Sequence, residues 1–414
     1  MTIQRPMKLW NKNFILLWQG TLFSTFGDVL YSICIGYWVY EQTGSTALMG
    51  LLSSISMFVT MVLGPLCGAI IDRSQRRWII VGADFIRGVM MIVLGLFALN
   101  QHMEVWMVLT TALVAALCNA FFSPCSMTVL SDLVAPGDLV RAQSLFNGSR
   151  SLFSIFGKGL SGAIVAFCGV PLVILLNGIS LLISAFTEIF ITVPPAPKTG
   201  MPIQWHALLD DLKEGARFVF SDSCLRLIAI IALAANFFGA GMSSVMLPFC
   251  LSRHLDLTQY GLLLSIQSVA ALAGTFLIGL IRLKPEIRTA IMIAAFPLSS
   301  LLSAIFYAMT HFFSLALFFL LFGFCNAIAN AILNASMMLI IPRSQRATIT
   351  GFITTASCGG QAFSSLIFGF LAEFIDLGLL GILSSLISIL PFALLRIYPQ
   401  IRQRFIQAEL NPQT

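Results

Sequence analysis

The stretch Gly64-Pro-Leu-Cys-Gly68-Ala-Ile-Ile-Asp72-Arg73-Ser-Gln-Arg76-Arg77 joins two long apolar runs through a short basic turn. Apolar residues fill 46–71 before the turn and 77–99 after it, and each run is long enough to cross about 30 Å of hydrocarbon as a helix. Because backbone polar groups in lipid must be satisfied internally, a helix is the expected form of both runs. The stretch therefore predicts two membrane-spanning helices with a charged loop on one membrane face.

The rest of the chain repeats this pattern. Of its 414 residues, 58% are hydrophobic and only 10% are charged, against roughly 25% charged in an ordinary soluble domain. This balance excludes a soluble enzyme, a disordered protein and a nucleic-acid-binding module. The predicted spans are 14–39, 46–71, 77–99, 105–130, 142–168, 170–193, 223–249, 258–281, 289–309, 312–340, 347–374 and 376–397.

The basic residues indicate the orientation of these spans. Nineteen of the 23 Lys and Arg residues fall on one face, three lie inside spans, and only Arg253 falls on the opposite face. Loops rich in Lys and Arg stay in the cytoplasm. We therefore expect a multi-pass protein of the cell membrane with both termini cytoplasmic.

The chain divides into two similar halves. Residues 1–193 are predicted to form an N-terminal six-helix bundle and 223–414 a C-terminal bundle with a short tail, separated by a cytoplasmic linker over 194–222 that contains an amphipathic helix. The string Cys-Asn-Ala occurs at 118–120 in the fourth span and at 325–327 in the tenth. Two parallel six-helix repeats are typical of transporters in which one bundle rocks against the other.

The quoted stretch resembles the signature loop of the major facilitator superfamily, in which a glycine precedes an Asp-Arg pair and further basic residues. The resemblance implies an all-α membrane protein with the twelve-helix fold of that superfamily. We expect the small Gly68 to let two helices approach closely. The charge cluster at the cytoplasmic seam is expected to hold one conformation closed. The gating candidates are Gly68, Asp72, Arg73, Arg76, Arg77 and Asp132, the last as a partner of Arg73 or Arg76.

Further motifs resemble the macrolide-efflux type of drug:proton antiporters. They are Ser24-Thr-Phe-Gly27-Asp28, Val39-Tyr-Glu-Gln-Thr-Gly44-Ser45, Val81-Gly-Ala-Asp84 with Arg87-Gly88, Phe122-Ser-Pro124 and Lys213-Glu-Gly215. In the fifth span Lys158 stands where this group usually carries a proline. The resemblance implies proton-coupled export of a small, drug-like or amphipathic organic compound by alternating access. The alternative is transport of an anionic metabolite, siderophore or lysolipid.

Ionisable residues inside the spans are functional candidates, because a lone charge in hydrocarbon is costly. Asp28 and Lys158 both lie ~21 Å from the cytoplasmic starts of their helices, and the resemblance places those helices side by side. We expect them to pair, with Asp28 as the proton-responsive acid; the alternative is a purely structural pair. Arg150 is a candidate for an anionic substrate or a gate, or it reaches the interface.

A second group of charges lies in the third and sixth spans. Asp84 and Arg87 are three residues apart on one helix and are expected to pair with each other, with Glu188 joining them. We favour a structural role for this group, because the resemblance places the third and sixth helices on the outside of the fold.

Carboxamides supply the candidate substrate site. Asn326, Asn330 and Asn334 recur every four residues on the tenth span and are expected to share one helix face. Carboxamides facing lipid would be unsatisfied, so we expect them to face protein or water. Asn119, the counterpart of Asn326 in the fourth span, and Asn236 complete the set; interhelical hydrogen bonding is the alternative.

The sequence offers no enzyme motif. It contains no HExxH, GxSxG or GxxxxGK[ST] motif, so neither zinc or serine hydrolysis nor ATP-driven transport is expected. The nine cysteines form no CxxC pair, and we expect no metal site. The expected driving force is a proton gradient, without a cofactor. The expected partners are a small-molecule substrate and the lipid bilayer, with no nucleic acid, and the chain is expected to act as a monomer.

Overall fold

The computed structural model describes residues 9–71, 74–193, 205–281, 283–341 and 345–391. Within these ranges the regular elements are helices, and no strand occurs. They are α1 (Lys12–Thr43), α2 (Thr46–Ile71), α3 (Arg76–Leu99), α4 (Val105–Leu133), α5 (Leu139–Glu188), α6 (Trp205–Ser221), α7 (Ser223–Ser244), α8 (Met246–Ser252), α9 (Leu257–Leu280), α10 (Pro285–Ala308), α11 (Phe312–Ile340), α12 (Arg346–Leu371) and α13 (Leu377–Ile387).

The long helix α5 is two helices joined at one glycine. Gly169 has φ 77° and ψ 160°, a conformation that disfavours any residue with a Cβ. Pro171 then opens the second helix, where its missing N–H costs nothing. We call the two parts α5a (139–168) and α5b (170–188). They match the fifth and sixth predicted spans.

The remaining spans also match helices, which confirms the predicted fold class. With α5 taken as one, nine helical segments of the described chain are long and apolar enough to cross a membrane. Counting α5a and α5b separately gives ten, and the apolar helices α12 and α13 bring the number to the twelve predicted spans.

The helices group into two compact units. The first comprises Met1–Gly44 and Phe58–Ile203, and the second comprises Ser45–Met57 and Gln204–Thr414. This division differs from the predicted boundaries because the beginning of α2 groups with the second unit. There the Thr46 hydroxyl donates to the Gly369 carbonyl at 2.8 Å.

In the first unit, α5 packs along both α1 and α3, and α4 packs against α3. Buried residues from α1, α2, α3, α4 and α5 form one apolar cluster near the ends of those helices. They include Phe14 and Leu17 of α1, Ile80 of α3, Leu130 of α4 and Phe146 of α5a. This packing sets the rotation of α1 and α3, and therefore the directions in which their charged residues point.

In the second unit, α9 and α10 pack on α11, and α7 packs on α12. The predicted amphipathic helix in the linker is present as α6. Its Val219 is buried, and a Cβ on its Gly215 would lie 3.0 Å from Cβ of Phe352 on α12. The helix is thus seated on α12. The predicted linker segment 194–204 and the tail 392–414 lie outside the described residues.

The contact between α10 and α13 depends on the absence of a side chain. A Cβ on Gly381 of α13 would overlap the buried ring of Tyr307 on α10. We expect Gly381→Ala to lower stability by about 1–3 kcal/mol, because the ring has to move. Thermal unfolding in detergent measures the change. The matched control is Gly351→Ala on α12, where a Cβ meets nothing within 4 Å. Equal melting temperatures for the two variants would contradict the packing described.

A carboxylate caps the start of α2 within the second unit. Helix α12 ends at Leu371, and Glu373 lies in the exposed turn that follows it. Its Oε1 accepts from the Ala47 backbone N–H at 2.9 Å and from Ser45 Oγ at 2.7 Å. These two hydrogen bonds, the backbone one foremost, lower the pKa of Glu373 below its ordinary value. The ionised form is therefore the one that the folded state prefers.

We expect Glu373→Gln to speed amide exchange at Ala47 near neutral pH, because the amide oxygen is the weaker acceptor. Folding lowers the pKa of Glu373. The stabilisation by its ionised carboxylate is therefore complete at pH values above the ordinary glutamate pKa, and it is lost as the pH falls through the lowered pKa of the folded protein. Hydrogen–deuterium exchange at two pH values measures both effects. Glu286→Gln, on the exposed first turn of α10, is the control. A difference between wild type and Glu373→Gln that does not change with pH would contradict this explanation.

Candidate functional site

The first unit contains an ionic cluster centred on Arg87. The Arg87 Nη2 on α3 pairs with Oδ2 of Asp28 on α1, and its Nη1 lies 3.3 Å from Oδ1 of Asp84. The Asp28 side chain is 35% exposed, whereas Arg87 and Asp84 are buried. Asn177 of α5b also donates to Asp28, at 3.4 Å. Arg87 therefore links a solvent-accessible carboxylate to one with no access to solvent.

Sequence reasoning found only part of this cluster. The Asp84–Arg87 pair follows from their spacing on one helix, but the bond from Arg87 to Asp28 joins residues 59 positions apart. The structural role favoured for the charges of the third and sixth helices stays a prediction. Asp84, Arg87 and Glu188 are buried inside the first unit.

Asp28, which we expected to pair with Lys158, forms an ion pair with Arg87. Helices α1 and α5a do meet at this level, since a Cβ on Gly157 would lie 3.1 Å from Val29 Cγ1. Lys158 is half-buried there. The ion pair that the structure shows for Asp28 is with Arg87, and pairing with Lys158 stays a prediction. Arg150, also half-buried, lies over the Phe146 ring at 6.0 Å.

The structure describes four of the six gating candidates, namely Gly68, Arg76, Arg77 and Asp132. Arg76 Nη1 lies 2.5 Å from Asp132 Oδ2, an ion pair between the start of α3 and the end of α4. Arg77 lies over its neighbour Trp78. A Cβ on Gly68 would meet nothing within 4 Å, so the close helix approach expected at this glycine is not seen among the described residues. Asp72 and Arg73 lie outside the described residues.

The second unit contains a cavity of about 420 Å³. Five carboxamides line it: Asn236, Gln267, Asn326, Asn330 and Gln361. Four of them form two hydrogen-bonded pairs. Gln361 Nε2 donates to Asn236 Oδ1 at 3.1 Å, and Asn330 Nδ2 donates to Asn326 Oδ1 at 2.9 Å. Aromatic rings complete the wall, among them Phe238, Phe319, Phe322 and Tyr307. Among the described residues that line it, none carries a full charge.

Two of the predicted asparagines lie elsewhere. Asn334 on α11 and Asn119 on α4 are exposed, and Asn334 is not part of the cavity lining. The reason for Asn334 is geometric. Steps of four residues advance by more than one turn, so over eight residues a helix face drifts sideways and ~12 Å along the axis. Asn326 and Asn330 reach the cavity, and Asn334 lies past its end.

Sequence reasoning missed a wall of serines in this cavity. Three serines of α10, Ser299, Ser300 and Ser303, face Ser384 and Ser385 of α13 and Ser388, the residue that ends it. Ser388 Oγ donates to Ser300 Oγ at 3.0 Å, and the Ser303 and Ser385 hydroxyls lie 2.9 Å apart. A signal was present in the sequence, since Ser-Ser-Leu-Leu-Ser at 299–303 and Ser-Ser-Leu-Ile-Ser at 384–388 have the same spacing.

The twelve apolar helices, with ionisable and polar groups turned inside them, define a multi-pass membrane transporter of the major facilitator fold. A family model described as "Transmembrane secretion effector" matches residues 6–410, and the chain belongs to this family. The family and fold are those of transporters, a class without enzymatic activity.

Two curated relatives show the degree of similarity. Macrolide efflux protein A of Streptococcus pyogenes is 23% identical over 185 residues, which make up 45% of this chain and 46% of that protein. The multidrug efflux pump Tap of Mycobacterium tuberculosis is 24% identical over 272 residues, 64% of this chain and 63% of the pump. The chain thus spans about half of the first relative's length and less than two thirds of the second's.

Solved structures share the fold at low identity. The nucleoside transporter NupG superposes with a TM-score of 0.72 at 14% identity, covering 93% of this chain and 98% of NupG. A bacterial homolog of the human lysosomal transporter Spinster, inward-facing and unoccupied, gives a TM-score of 0.66 at 14% identity over 97% of this chain and 98% of that one. These likenesses establish the fold alone.

Arg87 is the residue on which the ionic cluster depends. We expect Arg87→Leu to lower stability by about 3–5 kcal/mol, because the buried Asp84 would lose its cation. A second change, Asp84→Asn, should restore part of the loss. Thermal unfolding in detergent measures both. The control is Arg141→Leu on the exposed surface of α5a, expected to change stability by less than about 0.5 kcal/mol. A melting temperature of Arg87→Leu equal to that of the control would contradict this role.

Proposed function

We propose that this protein exports a small organic compound without net negative charge in exchange for protons, by alternating access. Export is supported by two relatives, a macrolide efflux protein and a multidrug efflux pump. The proton gradient is the driving force, and Asp28 is the acid that responds to it. The protein acts as a monomer in the cell membrane, with both termini in the cytoplasm as the distribution of basic residues indicates.

The observation that carries this proposal is the setting of Asp28. Its carboxylate is partly exposed, yet it is bound to a guanidinium that is itself buried. Protonation of Asp28 removes half of the negative charge that directly pairs with Arg87. If two arrangements of the surrounding helices pair Arg87 with Asp28 to different extents, protonation of Asp28 changes the free-energy difference between them. A proton is thereby coupled to a conformational change.

The cavity in the second unit supports the class of substrate. Its hydroxyl and carboxamide groups donate and accept hydrogen bonds, and its rings offer apolar contact. Since no described lining residue carries a full charge, an anion would enter without a counter-ion. This observation favours uncharged or cationic compounds over the alternative of an anionic metabolite, siderophore or lysolipid. Arg150, which would serve an anion, lies in the first unit over Phe146.

Transport in proteoliposomes with an imposed pH gradient tests the proposal. The probes are uridine as an uncharged polar compound, erythromycin as a macrolide and fluorescein as an anion. We expect gradient-driven movement of uridine or erythromycin and none of fluorescein. Asp28→Asn should reduce that movement about tenfold or more, a typical size for lost coupling between two sites.

The matched control is Glu41→Gln, an exposed carboxylate at the other end of α1 that bonds to Tyr37. It should transport as the wild type does. Unchanged gradient-driven transport in Asp28→Asn would remove the coupling role of Asp28. Transport of fluorescein alone would favour the anionic alternative.

A further inference from the structure

The ionic cluster of the first unit holds more negative than positive charge. The cluster contains three carboxylates, from Asp28, Asp84 and Glu188, and among its described residues one guanidinium, that of Arg87, which pairs with Asp28 and Asp84. Fully ionised, the cluster would carry two net negative charges. Asp84, Arg87 and Glu188 are all buried. A buried charge without a partner costs several kcal/mol even after relaxation, so such a cluster is expected to take up a proton.

The hydrogen bonds show where the missing proton belongs. Asp84 Oδ1 lies 3.3 Å from Arg87, which compensates its charge. The Glu188 carboxylate has no ion pair of this kind among the described residues. Its Oε1 accepts a hydrogen bond from the Ser184 hydroxyl at 3.5 Å, which is long for such a bond. Two buried carboxylate oxygens, Glu188 Oε2 and Asp84 Oδ2, have no hydrogen-bond partner among the described residues. A proton on Glu188 removes its charge and supplies a donor to this poorly satisfied group.

Among the described residues no Lys or Arg side chain forms an ion pair with Glu188. Lys158 lies on α5a, which meets α1 at Val29, one residue from Asp28. From α1 the cluster meets Asp28 and Tyr31, and from α4 it meets the thiols of Cys118 and Cys125. Near Cys125, whose thiol donates to the Arg76 carbonyl at 3.3 Å, the Arg76 side chain pairs with Asp132. The charges that act on Glu188 are thus those of Asp84 and Arg87.

We infer that Glu188 is a second proton-binding residue, which exchanges its proton occupancy with Asp28 through Arg87. In one state Asp28 is ionised and paired with Arg87, and Glu188 carries a proton. When Asp28 binds a proton, Arg87 loses that partner and becomes available to Glu188. The O–H bond of Glu188 then breaks, and its proton leaves to water. One proton is bound and one is released, so the charge of the cluster does not change.

This inference rests on the proposed proton-coupled transport and gives it a direction. Glu188 is the last residue of α5b, at the end predicted to face the cytoplasm, whereas Asp28 lies deeper along α1. Binding at Asp28 and release at Glu188 would move protons toward the cytoplasm. That is the direction which an exporter driven by the proton gradient requires.

Infrared spectroscopy of the purified protein tests proton occupancy without any substrate. We expect the wild type at neutral pH to show the C=O stretch of a protonated carboxyl group, and Glu188→Gln to lose it. Glu286→Gln, an exposed carboxylate on α10, is the control and should keep the band. Asp28→Asn mimics protonated Asp28 and should weaken the band, because Arg87 then stabilises ionised Glu188.

A band absent from the wild type, or unchanged in Glu188→Gln, would overturn the assignment to Glu188. A band of full strength in Asp28→Asn would overturn the exchange through Arg87. Because Gln has the shape of a neutral Glu, we expect Glu188→Gln to melt no lower than the wild type. A marked loss of stability would indicate an ionised, structural Glu188 and would also count against the inference.

Transport separates this inference from the proposed function. With the probe that the wild type moves, Glu188→Gln should retain substrate counterflow but lose gradient-driven accumulation by about tenfold or more. If the wild type moved no probe in response to a pH gradient, the proposed function would fail, and the infrared result would still decide proton occupancy at Glu188. If Glu188→Gln accumulated the probe as well as the wild type does, the inference would fail and the proposed function would stand.

Discussion

A guanidinium inside a membrane protein needs negative partners, and the first unit is organised around that requirement. Arg87 is buried, and carboxylates from two helices, Asp28 and Asp84, meet it. The ion pair joins α1 to α3, both of which pack on α5, and removing either partner leaves an uncompensated ion in a low-dielectric interior. The same arrangement leaves Glu188 without an ion pair among the described residues. Structure and proton chemistry therefore follow from one constraint.

The two units use different polar chemistry for different tasks. The first unit concentrates ionisable groups, whose charge changes with proton binding. The second unit lines its cavity with hydroxyls and carboxamides, which hydrogen-bond at any ordinary pH and carry no charge. This separation suits a transporter in which proton binding and substrate recognition are distinct events linked by conformation.

Much of the fold could be predicted from local sequence, and much of the site could not. Apolar runs gave the twelve spans, and the amphipathic pattern of the linker gave the helix α6. Spacing along one helix gave the Asp84–Arg87 pair and the Asn326–Asn330 pair. The partner of Arg87 on α1 was not predictable, because it depends on how two helices are rotated when they pack. The serine pairs between α10 and the end of α13 were not predicted either, because they also depend on helix rotation, although the two serine motifs have the same spacing in the sequence.

By itself the sequence determined that this chain is a bundle of membrane-spanning helices, because hydropathy and the length of an apolar run are local properties and the bilayer has a fixed thickness. It also determined which ionisable residues lie within the spans. Only the tertiary structure decided which of them meet. It placed Asp28 on Arg87, buried Glu188 with no ion pair in the part of the chain that the structure describes, and left Asn334 outside the cavity lining. Such contacts depend on helix rotation and axial offset, which are set by the packing of many side chains at once.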